Sequence, residues 1–293
     1  MDLNKIDFEN LMNIAINEAK VSLREGNSGF GAVIVKEGRI IVQTHDTDRT
    51  AGDPTAHAEM KAIRAASAKM GKNLKGCILV STHEPCPMCS TAAFWGNIDE
   101  IAFGYSIKEA LKKGRNRIDL TPQEIFKRGG RQIRIHENIL YDKCSILYNK
   151  AVRENIELLR NSDEARLKLQ ANKICAMRLE WFNNGYKASM TATSSIIDDA
   201  YFLFLSKLGI ADDEAPIVKR DETAIVIHSK NFCPTLEACQ ILNLDTRFVC
   251  RHLTEYPTNE LIRQINPKLC FSRNYDKIRP HSTYCEEMIS FEN

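Results

Sequence analysis

The sequence lacks a basic leader followed by an apolar core. It opens MDLNKIDFENLMNIAINEAK, acidic and mixed, so no secretory signal is expected. It lacks any run near the ~18 uninterrupted apolar residues of a membrane-spanning helix, and no membrane contact is expected. The compartment implied is the cytoplasm, where ten cysteines are thiols, metal ligands or core residues in preference to disulfides. It also lacks a dominant charge. Forty Lys and Arg face 38 Asp and Glu, a net +2, so nothing global argues for wrapping nucleic acid. There is no internal repeat and no low-complexity tract. What remains is an ordinary globular composition, 43% hydrophobic and 27% charged over 293 residues, enough for one large domain or two ordinary ones.

Apolar residues at Leu11, Ile14, Ala15, Ala19 and Leu23 predict a helix over 7–24. Two strands, Phe30–Val35 and Arg39–Thr44, are joined by the tight-turn sequence Lys36-Glu37-Gly38. A helix over 56–69, a strand over Cys77–Thr82, a helix from Pro87, a strand over Ile101–Tyr105 and a weaker one over Arg131–His136 follow. This alternation predicts a layered α/β domain ending near residue 150. Residues 141–208 read as mostly helical, interrupted by the charged stretch Arg160–Arg166. The chain is therefore divided into 1–158 and a second, mainly helical α+β domain over 159–293, with a strand at Ala224–His228.

Two short segments carry chemistry. His57-Ala58-Glu59 opens one helix, and Pro85-Cys86-Pro87-Met88-Cys89 opens the next. Cysteines three apart at a helix start face the same way, and the positive end of the helix favours thiolates. His57 adds a nitrogen. Three such ligands leave the fourth tetrahedral position of zinc for water, the arrangement of a catalytic site. Glu59 is placed to handle protons there without being a ligand. A lone CxxC also occurs in redox pairs and in half of a zinc ribbon, but no second CxxC completes a ribbon here.

The spacing H-x-E…P-C-x-x-C is the signature of zinc nucleobase deaminases. Through Phe30-Gly31-Ala32-Val33, Asp53–Glu59 and Thr82–Cys89 the chain resembles the cytidine-deaminase superfamily over roughly residues 5–150. Within it, the chain is similar to bacterial guanine deaminases and tRNA adenosine deaminases. The resemblance implies a three-layer α/β/α fold around a five-stranded sheet. It implies zinc on His57, Cys86 and Cys89, with Glu59 carrying protons to a ring nitrogen and the leaving amine. It implies a homodimer and a pocket lined by Phe30 and the Gly31–Ala32 backbone, although small strand residues also simply admit a helix. The activity implied is hydrolytic deamination of an amino-substituted nitrogen heterocycle. A free nucleobase such as guanine, or a related aminopyrimidine or aminotriazine, is the first choice. Deamination of adenosine in tRNA is the alternative. A non-catalytic ligand-binding module is another, but it has no use for Glu59.

The chain departs from these relatives twice. Purine-acting relatives usually end the strand before the His-Ala-Glu helix in His-Asn, and that Asn bonds the base. Here the pair is His45-Asp46. An ionised Asp only accepts, so Asp46 in the pocket would favour an edge rich in N–H, such as that of guanine; a turn residue is the plain alternative. After Tyr105, the stretch Ile107–Asp119 reads as a lid or a basic face. Lys112, Lys113, Arg115, Arg117, Lys127, Arg128, Arg131 and Arg134 cluster there, diluted by Asp119 and Glu124. Trp95 is expected to stack on the substrate or to be core.

The C-terminal half weakly resembles L-2-amino-thiazoline-4-carboxylic acid hydrolase-like proteins over about residues 160–293. Candidates there are Cys233, Arg247, Cys250, His252, Arg273, Arg279 and Cys285. Cys233, Cys250, His252 and Cys285 could form a second metal site, or Cys233 a nucleophile with His252 as base. Arg247, Arg273 and Arg279 could clasp a carboxylate. Plain packing is the alternative for buried cysteines.

Overall fold

In the computed structural model, which describes residues 6–193 and 195–292, the first apolar stripe becomes helix α1 (Phe8–Glu25). The Asp7 carboxylate caps it by accepting from the Asn10 N–H, and Gly26 ends it at φ +97°. Its inner face buries Leu11, Met12, Ala15, Ile16, Ala19 and Leu23. Strands β1 (Gly31–Lys36) and β2 (Arg39–His45) form the expected hairpin. Its two turn residues, Glu37 and Gly38, both have positive φ, the conformation whose twist suits a two-residue hairpin.

Then follow α2 (Asp48–Ala51), α3 (Ala58–Met70), β3 (Cys77–His83), α4 (Pro87–Trp95), β4 (Glu100–Tyr105), α5 (Ile107–Lys112), α6 (Pro122–Arg128), β5 (Arg134–His136), α7 (Tyr141–Tyr148) and α8 (Lys150–Leu159). The chain divides into two compact units between Glu154 and Asn155.

The first unit holds a five-stranded sheet in the order β2-β1-β3-β4-β5. β1 runs antiparallel to β2 and β3, while β3, β4 and β5 are parallel. Every residue of β3 is buried, as a central strand covered on both faces requires. On one face Ala32, Ile34, Leu79, Ile101 and Phe103 pack with Ala62, Ile63 and Ala66 of α3, Ala93 of α4 and Phe126 of α6. On the other lies α1, so close to β1 that a Cβ on Gly31 would stand 1.9 Å from the Ala15 carbonyl oxygen. This is the three-layer fold expected. The weaker strand expected over Arg131–His136 shrinks to β5. Arg131 instead lies over the rings of Phe94 and Phe126 and donates to the Phe94 and Ile98 carbonyls.

The second unit contains α9 (Glu164–Trp181), α10 (Lys187–Ser189), α11 (Ile196–Leu208), β6 (Ile217–Arg220), β7 (Ala224–Ser229), α12 (Pro234–Leu242), α13 (Thr246–Cys250), α14 (Tyr256–Ile262), β8 (Leu269–Arg273) and β9 (Cys285–Phe291). Its antiparallel sheet has the order β6-β7-β9-β8. Ala200, Tyr201 and Phe204 of α11 pack on Ile225, Ile227, Phe271 and Ile289 of that sheet. All ten cysteines are free thiols. No described helix is long and apolar enough to cross a membrane.

Candidate active site

The starts of α3 and α4 converge at the edge of the sheet where β3 ends. His57 and Cys86 are the residues immediately before these helices, both with extended backbone. Glu59 and Cys89 lie in their first turns. Pro87 at the first position of α4 costs no hydrogen bond. His57 Nδ1 is 3.6 Å from Cys86 Sγ and 3.6 Å from Cys89 Sγ, and the two sulfurs are 3.6 Å apart. Zinc bonds of about 2.3 Å to sulfur and about 2.0 Å to nitrogen, at tetrahedral angles, call for edges of roughly 3.5–3.8 Å. The triangle fits zinc without rearrangement. Among the described residues it is the group of His, Cys, Asp or Glu side chains able to hold a metal.

The thiols titrate as a pair. Cys86 is drawn down to about 4, chiefly by the hydrogen bond from Cys89 and then by His57. His57 rises to about 8 through its bond with Cys86. Glu59 is buried, with Oε1 accepting from Ser81 Oγ at 2.8 Å and Oε2 3.5 Å from Cys89 Sγ. Burial, and then the charge on Cys86, push its carboxyl up.

A pocket of about 500 Å³ opens over these residues, a size ordinary for small-molecule sites. His57, Glu59, Cys86 and Phe30 line it, as expected; Gly31, Ala32, Asp46 and Trp95 do not. Gly31 serves packing: α1 leaves no room for a Cβ. Ala32 is wholly buried in the core. Asp46 is also wholly buried, and its oxygens accept from Ser22 Oγ (2.6 Å), Phe30 N (2.7 Å) and Ser28 N (2.9 Å). A carboxylate saturated in this way fixes the loop entering β1 and does not read a substrate. Trp95 is 66% exposed and touches Phe94 edge-on.

Asp48, His83 and Arg153, which the sequence did not single out, also line the pocket. Asp48 lines it, accepts from Ser28 Oγ at 2.7 Å, and keeps a buried Oδ1 without a hydrogen-bond partner among the described residues. His83 lines it too. Its Nδ1 can only donate to the Glu84 carbonyl at 2.9 Å, and its buried Nε2 has no partner among the described residues. Burial, followed by the charges of Arg117 and Arg115, lowers its pKa to about 3. His83 is therefore neutral, with a bare acceptor at Nε2. The segment after α5 delivers Arg115 and Arg117 to the pocket, and Arg153 joins them. Arg115 lies over Tyr148, and Arg117 over Phe30.

Residues 6–105 match the cytidine and deoxycytidylate deaminase zinc-binding region. A tRNA-specific adenosine deaminase of Aquifex aeolicus is 44% identical over 32% of this chain and 64% of its own length. A tRNA-specific adenosine deaminase of Bacillus subtilis is 32% identical over 49% of this chain and 87% of its own. A guanine deaminase of Bacillus subtilis is 38% identical over 37% of this chain and 71% of its own. The chain belongs to the cytidine and deoxycytidylate deaminase family. That family comprises zinc-dependent hydrolases acting on C–N bonds, and the His57, Cys86 and Cys89 triangle, inside the matched region, is the candidate metal site.

In the second unit of the deaminase, Cys233, Cys250, Arg273, Arg279 and Cys285 surround one cavity. Arg247 and His252 stand apart. Arg247 pairs with Asp245 at 2.8 Å. His252 Nδ1 bonds the Phe248 carbonyl, and its Nε2 lies 3.5 Å from Glu164. The expected pairing of Cys233 with His252 as base is therefore not made. Nor is the second metal site expected from Cys233, Cys250, His252 and Cys285: among the described residues these do not gather as ligands.

Proposed function

We propose that this chain hydrolyses the exocyclic amine of an amino-substituted nitrogen heterocycle, releasing ammonia, and that its substrate is a free base with an N–H-rich edge, such as guanine. The observation that carries the reaction class is the 3.6 Å triangle of His57, Cys86 and Cys89 with Glu59 beside it. His57, Cys86 and Cys89 would hold zinc, which would supply a bound water with its pKa brought to about 7. Glu59, oriented by Ser81, takes the water's proton, delivers it to the ring nitrogen, and later protonates the leaving amine. Water adds at the amino-bearing carbon, the C–N bond breaks, and ammonia departs. Phe30 offers a ring face. The acceptors Asp48 Oδ1 and His83 Nε2, partnerless among the described residues, suit an edge of N–H donors.

A second reading, deamination of adenosine in an RNA loop, is favoured by one observation. Arg115, Arg117 and Arg153 line the same pocket and form no ion pair with a carboxylate among the described residues, so they suit a phosphate. The homodimer implied by the resemblance belongs to the same proposal and would sediment at twice 33.3 kDa.

The test is ammonia release by zinc-loaded protein from guanine, adenine, cytosine, isocytosine, aminotriazines, their nucleosides and a tRNA stem-loop. Release from a free base, lost in Glu59→Ala while zinc stays bound, is expected; the loss should be at least about 10²-fold. Release from the stem-loop alone, steeply reduced by salt, would replace the free base with RNA. Silence across the panel would sink both readings.

A further inference from the structure

The second unit contains a cavity of about 190 Å³, open to solvent and lined by none of the candidate zinc-site residues. Its charges do not balance. Arg273, its side chain 9% exposed, donates to Glu287 Oε1 at 2.8 Å and to Thr254 Oγ1 at 2.7 Å. Glu287, which is buried, accepts from Ser229 as well, so it is fully engaged. Arg178 is only 9% exposed and donates to the Thr258 hydroxyl at 2.7 Å, with no carboxylate partner among the described residues. Arg279 donates to the Lys230 and Asn231 carbonyls at 3.2 and 2.8 Å, and its Nε lies 3.5 Å from Cys285 Sγ. Three guanidinium groups thus face one carboxylate. A buried cation without a counter-charge is costly. Cys233 and Cys250 do not supply that charge: burial raises Cys233 and lifts Cys250 to about 11, so both stay protonated.

The rest of the wall is apolar, with Phe204, Leu208, Ile210 and Ile278. The volume equals about six waters at ~30 Å³ each. We propose that this cavity is a second ligand site, which takes a small organic carboxylate against Arg178 and Arg279, its carbon skeleton on the apolar wall and the thiols of Cys233, Cys250 and Cys285 alongside. A carboxylate matches the planar fork of a guanidinium, and the apolar wall calls for an organic remainder that an inorganic anion lacks. The site is independent of the zinc centre and of the activity proposed for it.

Two alkylating reagents of similar size, iodoacetate and iodoacetamide, differ in the charge the cavity would recognise. Each forms one C–S bond, expels iodide and releases the thiol proton to solvent. The zinc-loaded full chain is treated with each, and every cysteine is followed by peptide mass mapping. Cavity cysteines are expected to react about tenfold faster with iodoacetate, the preference that about 1.4 kcal/mol of charge recognition gives. Acetate should protect them and acetamide should not. Arg178→Gln and Arg279→Gln should each erase the preference, and Cys175 and Cys270, which do not line the cavity, should show none. If Arg178→Gln does not fold, the half-exposed Arg279 carries the test. Equal or faster reaction with iodoacetamide, or a preference that survives Arg279→Gln, would overturn the proposal. Should no cavity thiol react, melting decides: acetate must stabilise wild type more than acetamide does and lose that advantage in Arg279→Gln, or the site does not exist.

Discussion

His83 shows how a single side chain is governed by its surroundings. Its folded pKa of about 3 lies far below the ordinary value near 6.5. As pH falls below about 6.5, the unfolded chain takes up a proton that the folded chain refuses. The stability His83 contributes is therefore complete above that pH and is lost on the way down to 3. Between pH 7 and pH 5 the loss is about 2 kcal/mol. Urea titrations at both pH values should show His83→Gln escaping that part of the acid loss; an equal loss in both proteins would mean the imidazole is not buried neutral. Nothing in the sequence announces His83, because its role depends on where β3 stops, not on its neighbours in the chain. Asp46 teaches the converse. Its position in the family motif points to the pocket, yet three donors from Ser22, Ser28 and Phe30 claim its oxygens, and it is Asp48 that lines the pocket. By contrast His57, Glu59, Cys86 and Cys89 were readable in advance. Metal ligation fixes residue type and spacing more tightly than ring recognition does.

At the level of elements, the contact of α1 with β1 is the most demanding in the first unit. The Ala15 carbonyl occupies the space of a side chain at residue 31, and both partners are backbone, so neither can rotate away. Gly31→Ala should cost about 3 kcal/mol or more, read as a lowered urea midpoint. A cost below about 1 kcal/mol would show that α1 can slide outward. α1, the hairpin, α3, β3 and α4 were legible because apolar period, a tight turn and Pro87 agree. α5 and α6 were hidden in a basic stretch, although Ser106 caps one and Thr121 with Glu124 forms a capping box on the other. β8 and β9 were hidden for a different reason. Their outward residues include Cys270, Ser272 and Glu286, and β9 buries only the alternate positions Glu287 and Ile289. A buried Glu paired with Arg273 breaks the simple apolar alternation on which strand reading depends.

At the level of the whole molecule, metal and fold should be linked. A ligand that binds only the folded chain stabilises it, by about 4 kcal/mol at a thousandfold excess over Kd. Chelation should lower the melting temperature and abolish ammonia release, and zinc should restore both. An unchanged melt would mean that His57, Cys86 and Cys89 hold no metal. The two sheets also differ in when they can be finished. The last strand of the first, β5, ends at His136 and lies at an edge. The last strand of the second, β9, ends at Phe291 and lies between β7 and β8. During synthesis the deaminase sheet can close while the rest of the chain is still being translated. The second sheet must instead wait with two strand edges bare, the state in which strands pair with the wrong chain. A premature stop ahead of residue 285 would make that waiting state permanent.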